Sequence, residues 1–281
     1  MPLDPANPSP LEFLSPGVAL TVVAIGLFAG LPGGLLGIGG SVVMIPGLTW
    51  LLGPNQQLYQ ASAMLANLAV AVPAVLRHRR AGALDTRALR WMAPAAVISV
   101  VLGVALSNLF RGEAGGLWLR RVFAVLLAYV GLVHGARCLR PRASADVTGP
   151  ERLEPWRALA TGGASGLIGG LLGVGGGAVS VPMQQALMNT PLRRAIAQSS
   201  ALMCLSAAVG ALHKNLTLAQ HARPGLPASA QHSLTLALLL APSCIVGGYL
   251  GAALTHRLPL RTVRACFALI MLVSALRMAW G

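Results

Sequence analysis

Runs of apolar residues divide the chain into eight segments of about the 20 residues that a bilayer-spanning helix needs. They fall near 17–52, 57–76, 91–110 and 117–136, and again near 157–188, 191–212, 233–255 and 262–280. The first and fifth are longer than one crossing requires and are interrupted by glycine. Polar and basic residues collect between the runs, and the one convincing linker is Arg137 to Pro155. This pattern predicts an all-α polytopic membrane protein with about eight transmembrane segments in two homologous four-segment repeats. Its parts are a tail over 1–16, a first membrane repeat over 17–136, a cytoplasmic linker over 137–156 and a second membrane repeat over 157–281.

The two interruptions are copies of one another. Gly30-Leu-Pro-Gly-Gly-Leu-Leu-Gly-Ile-Gly-Gly-Ser41, followed by Pro46, recurs as Gly166-Leu-Ile-Gly-Gly-Leu-Leu-Gly-Val-Gly-Gly-Gly177, followed by Pro182. Each glycine weakens a helix by about 1 kcal/mol relative to alanine. Inside a bilayer, broken backbone survives only where protein or a water-lined cavity satisfies its polar groups. Each stretch therefore predicts a broken helix or a re-entrant hairpin opening its repeat. Such breaks at matching positions of two repeats point to a transporter's binding site. The copying continues in Gln60-Ala-Ser-Ala63 against Gln198-Ser-Ser-Ala201, and in Ser99, Gly103 and Ser107 against Ser243, Gly247 and Gly251. Small residues four apart let transmembrane helices pack closely, the expected role of Gly103 and Gly247.

Charge bears on orientation. If all eight segments cross, 13 of the 21 Lys and Arg lie on one side; if the two long segments return as hairpins, the repeats are inverted and 15 do. Both arrangements put the 77–90 loop and the linker in the cytoplasm by the excess of positive charge there. Composition agrees with a membrane protein: 55% hydrophobic and 10% charged residues, with a mean hydropathy of +0.70, against about 25% charge in soluble domains. The net charge of +14 is carried by short segments between apolar runs, so it fixes topology and gives no footprint for nucleic acid.

The available chemistry points to anions. All seven carboxylates, Asp4, Glu12, Asp85, Glu113, Asp146, Glu151 and Glu154, lie outside the apolar cores, whereas cation and proton pathways use intramembrane acids. Sodium held by carbonyl and hydroxyl oxygens stays open. The four cysteines stand singly in or beside apolar runs, without metal or redox spacing. With no catalytic dyad, metal cluster or cofactor motif, neither an enzyme nor a bound cofactor is expected. Gly173-Val-Gly-Gly-Gly-Ala178 matches a dinucleotide fingerprint only formally, since no strand precedes it and no acid follows about 20 residues on.

Exposed N–H groups at a half-helix N-terminus bind anions without a cationic side chain. The expected central site therefore sets Gly37, Gly39, Gly40 and Ser41 against Gly173, Gly175, Gly176 and Gly177, with Gln60, Ser62, Gln198, Ser199 and Ser200 as neutral donors. Ser41 opposite Gly177, and Pro32 opposite Ile168, should make the half-sites unequal. Arg77, His78, His213 and Lys214 end the second and sixth segments. They read either as interfacial anchors that snorkel to the surface or, for Arg77, His213 and Lys214, as groups that gate or attract anions. His213 would also allow proton coupling. Asn67 and Ser206 read as interhelical hydrogen-bonders or as path-lining groups. The expected partners are a small anionic substrate and the lipid bilayer, with proton or sodium coupling and a homo-oligomer left open. The competing reading is an anion sensor or assembly factor that binds without transporting.

At the two G-G-L-L-G-[IV]-G-G stretches with their trailing prolines, the Gln-x-Ser-Ala helices and the ending Arg257-Leu-Pro-Leu-Arg261-x-Val-Arg264, the sequence resembles the sulfite exporter TauE/SafE family of membrane permeases. The resemblance runs from about Gly17 to Trp280. It implies a multi-pass protein of the cytoplasmic membrane, built from two related halves, that moves sulfite, sulfoacetate or another organosulfonate.

Overall fold

The computed structural model describes residues 16–139, 150–222, 228–254 and 260–280. The expected tail up to residue 15, half of the linker (140–149), Asp4, Glu12, Asp146 and Arg257 lie outside them. Ten α-helices follow in order, and no strand occurs among the described residues: α1 Pro16–Leu36, α2 Ser41–Leu52, α3 Gln56–Arg80, α4 Thr86–Leu109, α5 Gly112–Leu139, α6 Pro155–Leu172, α7 Gly177–Leu187, α8 Leu192–Thr217, α9 Ala230–Leu254 and α10 Leu260–Trp280. A 3-10 turn, Leu218–His221, follows α8. Side-chain caps start α3, where Asn55 accepts from the Leu58 N–H (3.3 Å), and α4, where Asp85 accepts from the Arg87 N–H (2.8 Å). Six helices are long and apolar enough to cross a membrane: α1, α3, α4, α5, α8 and α9.

Glycine decides where the two long segments break. Gly37 and Gly39 take φ of +65° and +88° after α1, and Gly173, Gly175 and Gly176 take +74°, +69° and +79° after α6. A residue with a Cβ pays roughly 1–2 kcal/mol in that left-handed region. Across each break the chain reverses. A Cβ on Gly33 would stand 2.9 Å from the Gly40 nitrogen and one on Gly47 3.2 Å from Ile25, so α2 runs back along α1. In the second copy Ser165 Oγ donates to the Gly176 carbonyl (2.9 Å) and Arg157 Nη1 to the Leu187 carbonyl (2.7 Å), which lays α7 along α6. Both long segments are thus helical hairpins, although α1 alone, at about 1.5 Å per residue over 21 residues, has the length to cross.

Stripes of small residues hold the hairpins. A Cβ on Gly30 would lie 2.8 Å from the Cys244 carbonyl, and one on Gly34 would collide with the Gly248 carbonyl, so α1 and α9 meet backbone to backbone. The same contact joins α6 to α4, where Cβ atoms on Gly162, Gly166 and Gly170 would collide with the carbonyls of Met92, Ala96 and Val100. Gly103, against the Leu167 carbonyl, and Gly247, 2.6 Å from the Leu27 carbonyl, return these contacts and have the packing role expected of them. Each hairpin is therefore clasped by a helix from the other half of the chain. α5 packs on α10, and α3 and α8 run between the two hairpin pairs.

The bundle has two distinct ends. One gathers the starts of α3 and α5 with the ends of α4 and α8. The other gathers the starts of α4, α6 and α8 beside the linker, where Arg194 pairs with Glu151 (2.6 Å). Glu154, also at the linker end, accepts from Arg157 and Trp156, which hold its carboxyl below its ordinary range. Exposed Trp50, Trp118 and Trp280 ring the first end and Trp91 and Trp156 the second, with Leu20, Phe28, Ile98, Val125, Leu132 and Leu238 exposed on the helices. Aromatic rings at two levels around an apolar belt are the surface of a multi-pass membrane protein.

Candidate functional site

The two hairpin tips meet between α3 and α8. Ser199 Oγ on α8 donates to the Gly37 carbonyl (2.6 Å). A Cβ on Gly39 would lie 2.9 Å from the Val174 carbonyl, and one on Gly177 would collide with the Gly37 carbonyl. The glycine clusters of the two halves are thus brought together, as the duplication predicts. They touch directly, because only glycine lets the backbones approach this closely.

Their helix N-termini are dressed differently. The first-turn N–H groups of a helix lack intrahelical acceptors and carry partial positive charge. At the start of α2, the Gly40 and Ser41 N–H groups donate to Asn67 Oδ1 (3.0 and 3.2 Å), and Asn67 Nδ2 donates to Ser41 Oγ (3.1 Å). Asn67 and Ser41 have no exposed surface. At the start of α7 the hydroxyl partner faces a carbonyl instead: Ser206 Oγ donates to Gly175 O (3.1 Å). With Gly177 in place of a serine, nothing corresponds to the Ser41–Asn67 pair, so the half-sites are unequal. Asn67 and Ser206 are interhelical hydrogen-bonders to the tips.

The neutral donors divide. Gln60 is fully buried; its Nε2 donates to the Leu171 carbonyl (3.3 Å), its Oε1 accepts from Ser107 Oγ (3.0 Å), and its Cβ crowds Gly173. Gln198 is buried with Oε1 unpartnered. Ser62 and Ser200 are buried, and their hydroxyls donate to carbonyls of their own helices, Leu58 (2.9 Å) and Ile196 (3.0 Å).

Lys214 does not snorkel. It has no exposed surface, and its Nζ donates to Gln57 Oε1, Ser107 Oγ (2.9 Å) and Asn108 Oδ1 (3.0 Å), all neutral. The lysine therefore has neutral acceptors and, among the described residues, no carboxylate beside it. Ser107 bonds both Lys214 and Gln60, so a polar chain runs from Lys214 to the α6–α7 tip. Arg77 sits on a different element, its guanidinium 5.0 Å over the Tyr249 ring in the geometry of an anchor, and half-buried His213 precedes Lys214 on α8. The three cationic candidates do not form one cluster. Sequence reasoning missed Gln57 and Asn108 as partners of Lys214, since both lie at segment ends that read as interface; the available signal was a lysine flanked on both sides by apolar turns.

Asn67→Leu leaves two buried N–H donors without an acceptor at about 1–3 kcal/mol each. The unfolding midpoint in detergent is expected to fall accordingly, while Asn67→Asp, which keeps the acceptor, holds it. Equal midpoints for the wild type and Asn67→Leu would show that the contact contributes nothing.

A family model described as "Sulfite exporter TauE/SafE" matches residues 22–278. The chain is 28% identical over 90% of its length to the probable membrane transporter protein MamO of Magnetospirillum gryphiswaldense, of which it spans 44%, less than half of that longer protein. It is 24% identical to the probable membrane transporter protein YunE of Bacillus subtilis, covering 90% of this chain and 94% of that one. A probable membrane transporter protein of Haemophilus influenzae is 26% identical over 92% of this chain and 97% of its own length.

Proposed function

Since the chain belongs to the sulfite exporter TauE/SafE family of membrane transporters, we propose that it is a secondary transporter of a small anion: sulfite, sulfoacetate or another organosulfonate. It works by alternating access around the two glycine tips, with residues 17–136 and 157–281 as inverted repeats on either side of a cytoplasmic linker.

The observation that carries this reading is the meeting of two matched hairpin tips at the centre of the bundle, each leading a half-helix N-terminus into a buried setting. Broken helices of this kind present anion-binding dipole ends. Asn67 Oδ1 takes from Gly40 and Ser41 the two hydrogen bonds that an anion's oxygen would take, so it holds that terminus until substrate replaces it. In the structure's closed contact no anion fits between the tips; parting them on one side at a time gives access without a through-pore. The clasp of each hairpin by the opposite half gives that movement two rigid bodies, α1–α2 with α9 and α6–α7 with α4. The hairpin arrangement also agrees with 15 of 21 Lys and Arg lying on the linker side.

The test is counterflow of labelled sulfite in proteoliposomes, with sulfate, sulfoacetate, taurine and acetate as competitors, with and without a pH gradient. Saturable exchange inhibited by sulfoacetate is the expected result, and stimulation by the gradient would identify proton coupling. Saturable binding with no flux for any of these anions would overturn the transporter reading in favour of a sensor.

A further inference from the structure

A cavity of about 370 Å³ opens at the end of the bundle beside Lys214, bounded by the end of α2, the start of α3, the α4–α5 turn, the first turns of α5 and the 3-10 turn after α8. Three side chains in its wall lack the partners their chemistry calls for. Gln56 is 6% exposed, and both its amide nitrogen and oxygen are buried without a hydrogen bond. Arg120 has its Nε buried and unpartnered. Arg111 reaches only neutral oxygens, Gln220 Oε1 (3.3 Å) and the Asn108 carbonyl (3.5 Å). The carboxylate in the wall, Glu113, pairs with neither arginine. Directly beneath, Gln57 lines the cavity and accepts from the buried Lys214.

Buried amides and guanidiniums are almost always satisfied, by protein or by what binds them. Two arginines that pair with no carboxylate among the described residues make the cavity electropositive. An unpartnered amide and a planar guanidinium are donors suited to a multi-oxygen head group. The volume is many times what a single water needs, so a bare oxyanion would leave most of it empty, and Phe110 and Leu117 supply apolar wall for a carbon body.

We infer that this cavity is a binding site for an organic sulfonate: the head group lies against Arg120, Arg111 and Gln56, and the carbon body on Phe110 and Leu117. It is a vestibule distinct from the hairpin tips, joined to the α6–α7 tip through Gln57, Lys214, Ser107 and Gln60. The choice of a sulfonate head rests on the transporter reading above; the cavity and its unpartnered donors do not.

Equilibrium binding of radiolabelled 1-butanesulfonate to the purified full chain in detergent tests it. Arg120→Met and Gln56→Leu are each expected to raise Kd about tenfold or more, the scale of one lost hydrogen bond to a charged group. Arg120→Lys stays within about threefold, and Gly163→Ala, in ordinary contact with Ser99 on the α4–α6 face, within about twofold. Unchanged Kd in folded Arg120→Met and Gln56→Leu overturns the site, and equal binding of pentanoate overturns the sulfonate assignment. Sulfite counterflow with no butanesulfonate binding sinks the cavity proposal and leaves transport standing. Variant-sensitive binding with no flux for any anion keeps the cavity and sinks transport.

Discussion

Gly175→Leu is expected to abolish anion counterflow while leaving a folded protein of lower stability. Two costs fall on that one position. The residue sits at φ +69°, where a Cβ costs roughly 1–2 kcal/mol. Its Cβ would also stand 2.8 Å from Met203 Cγ and 3.2 Å from Asn67 Nδ2, and overpacking of that kind costs about 1–3 kcal/mol. The damage is local to the tips: the leucine pushes against Asn67, the group holding the start of α2, and props the hairpins apart so that they no longer close on either side. Gly39→Leu carries the same burden from the other half, with φ +88° and Met203 Sδ 2.9 Å away. Counterflow in proteoliposomes, read beside an unfolding midpoint in detergent, separates lost transport from lost fold. Counterflow at the wild-type rate in both variants would remove the tips from the mechanism.

Gly166→Leu should act on the fold instead. Its Cβ would collide with the Ala96 carbonyl, and that obstacle is backbone on a helix already touching α6 along Gly162, Gly166 and Gly170. No rotamer change relieves it, so α4 and α6 must separate and the clasp on the second hairpin opens. In a bilayer, where close van der Waals contact drives helix association, losing that contact removes the main attraction between the pair. The expected outcome is little monodisperse protein, with stability lowered by ~1–3 kcal/mol and the unfolding midpoint falling accordingly. Gly163→Ala, three residues earlier and 3.5 Å from Ser99 Oγ in ordinary contact, is the control and should match the wild type. Equal stability of Gly166→Leu and wild type would mean that the α4–α6 contact is not what holds the hairpin.

Much of this was legible in the residues. Apolar runs announce membrane helices because an unsatisfied backbone is so costly in lipid that only helices of about 20 apolar residues cross. The paired glycine clusters announce their own breaks, since left-handed backbone demands glycine, and the absence of acids in the apolar cores argues against a cation substrate. The family resemblance rested on the same stretches and was matched over residues 22–278. Lys214 was harder. A lysine at the end of an apolar run ordinarily snorkels, and nothing local says that Gln57, Ser107 and Asn108, more than 100 residues away in the chain, are waiting for its ammonium. Ser62 and Ser200, equally polar by composition, turn out to spend their hydroxyls on their own helices.

The sequence by itself determined the class of molecule, the places where its helices break, the pairing of the two breaks and their inequality at Ser41 and Gly177. Each of these depends on local backbone preference or on burial averaged over a helix, and such quantities are written in short windows. Only the tertiary structure decided that the long segments return as hairpins, that each is clasped by the other half, that Asn67 holds the start of α2, and that a cation-lined cavity lies beside Lys214. Those facts depend on which carbonyl or side chain arrives opposite a given residue from a distant part of the chain, and a one-dimensional pattern of polarity does not encode that partner.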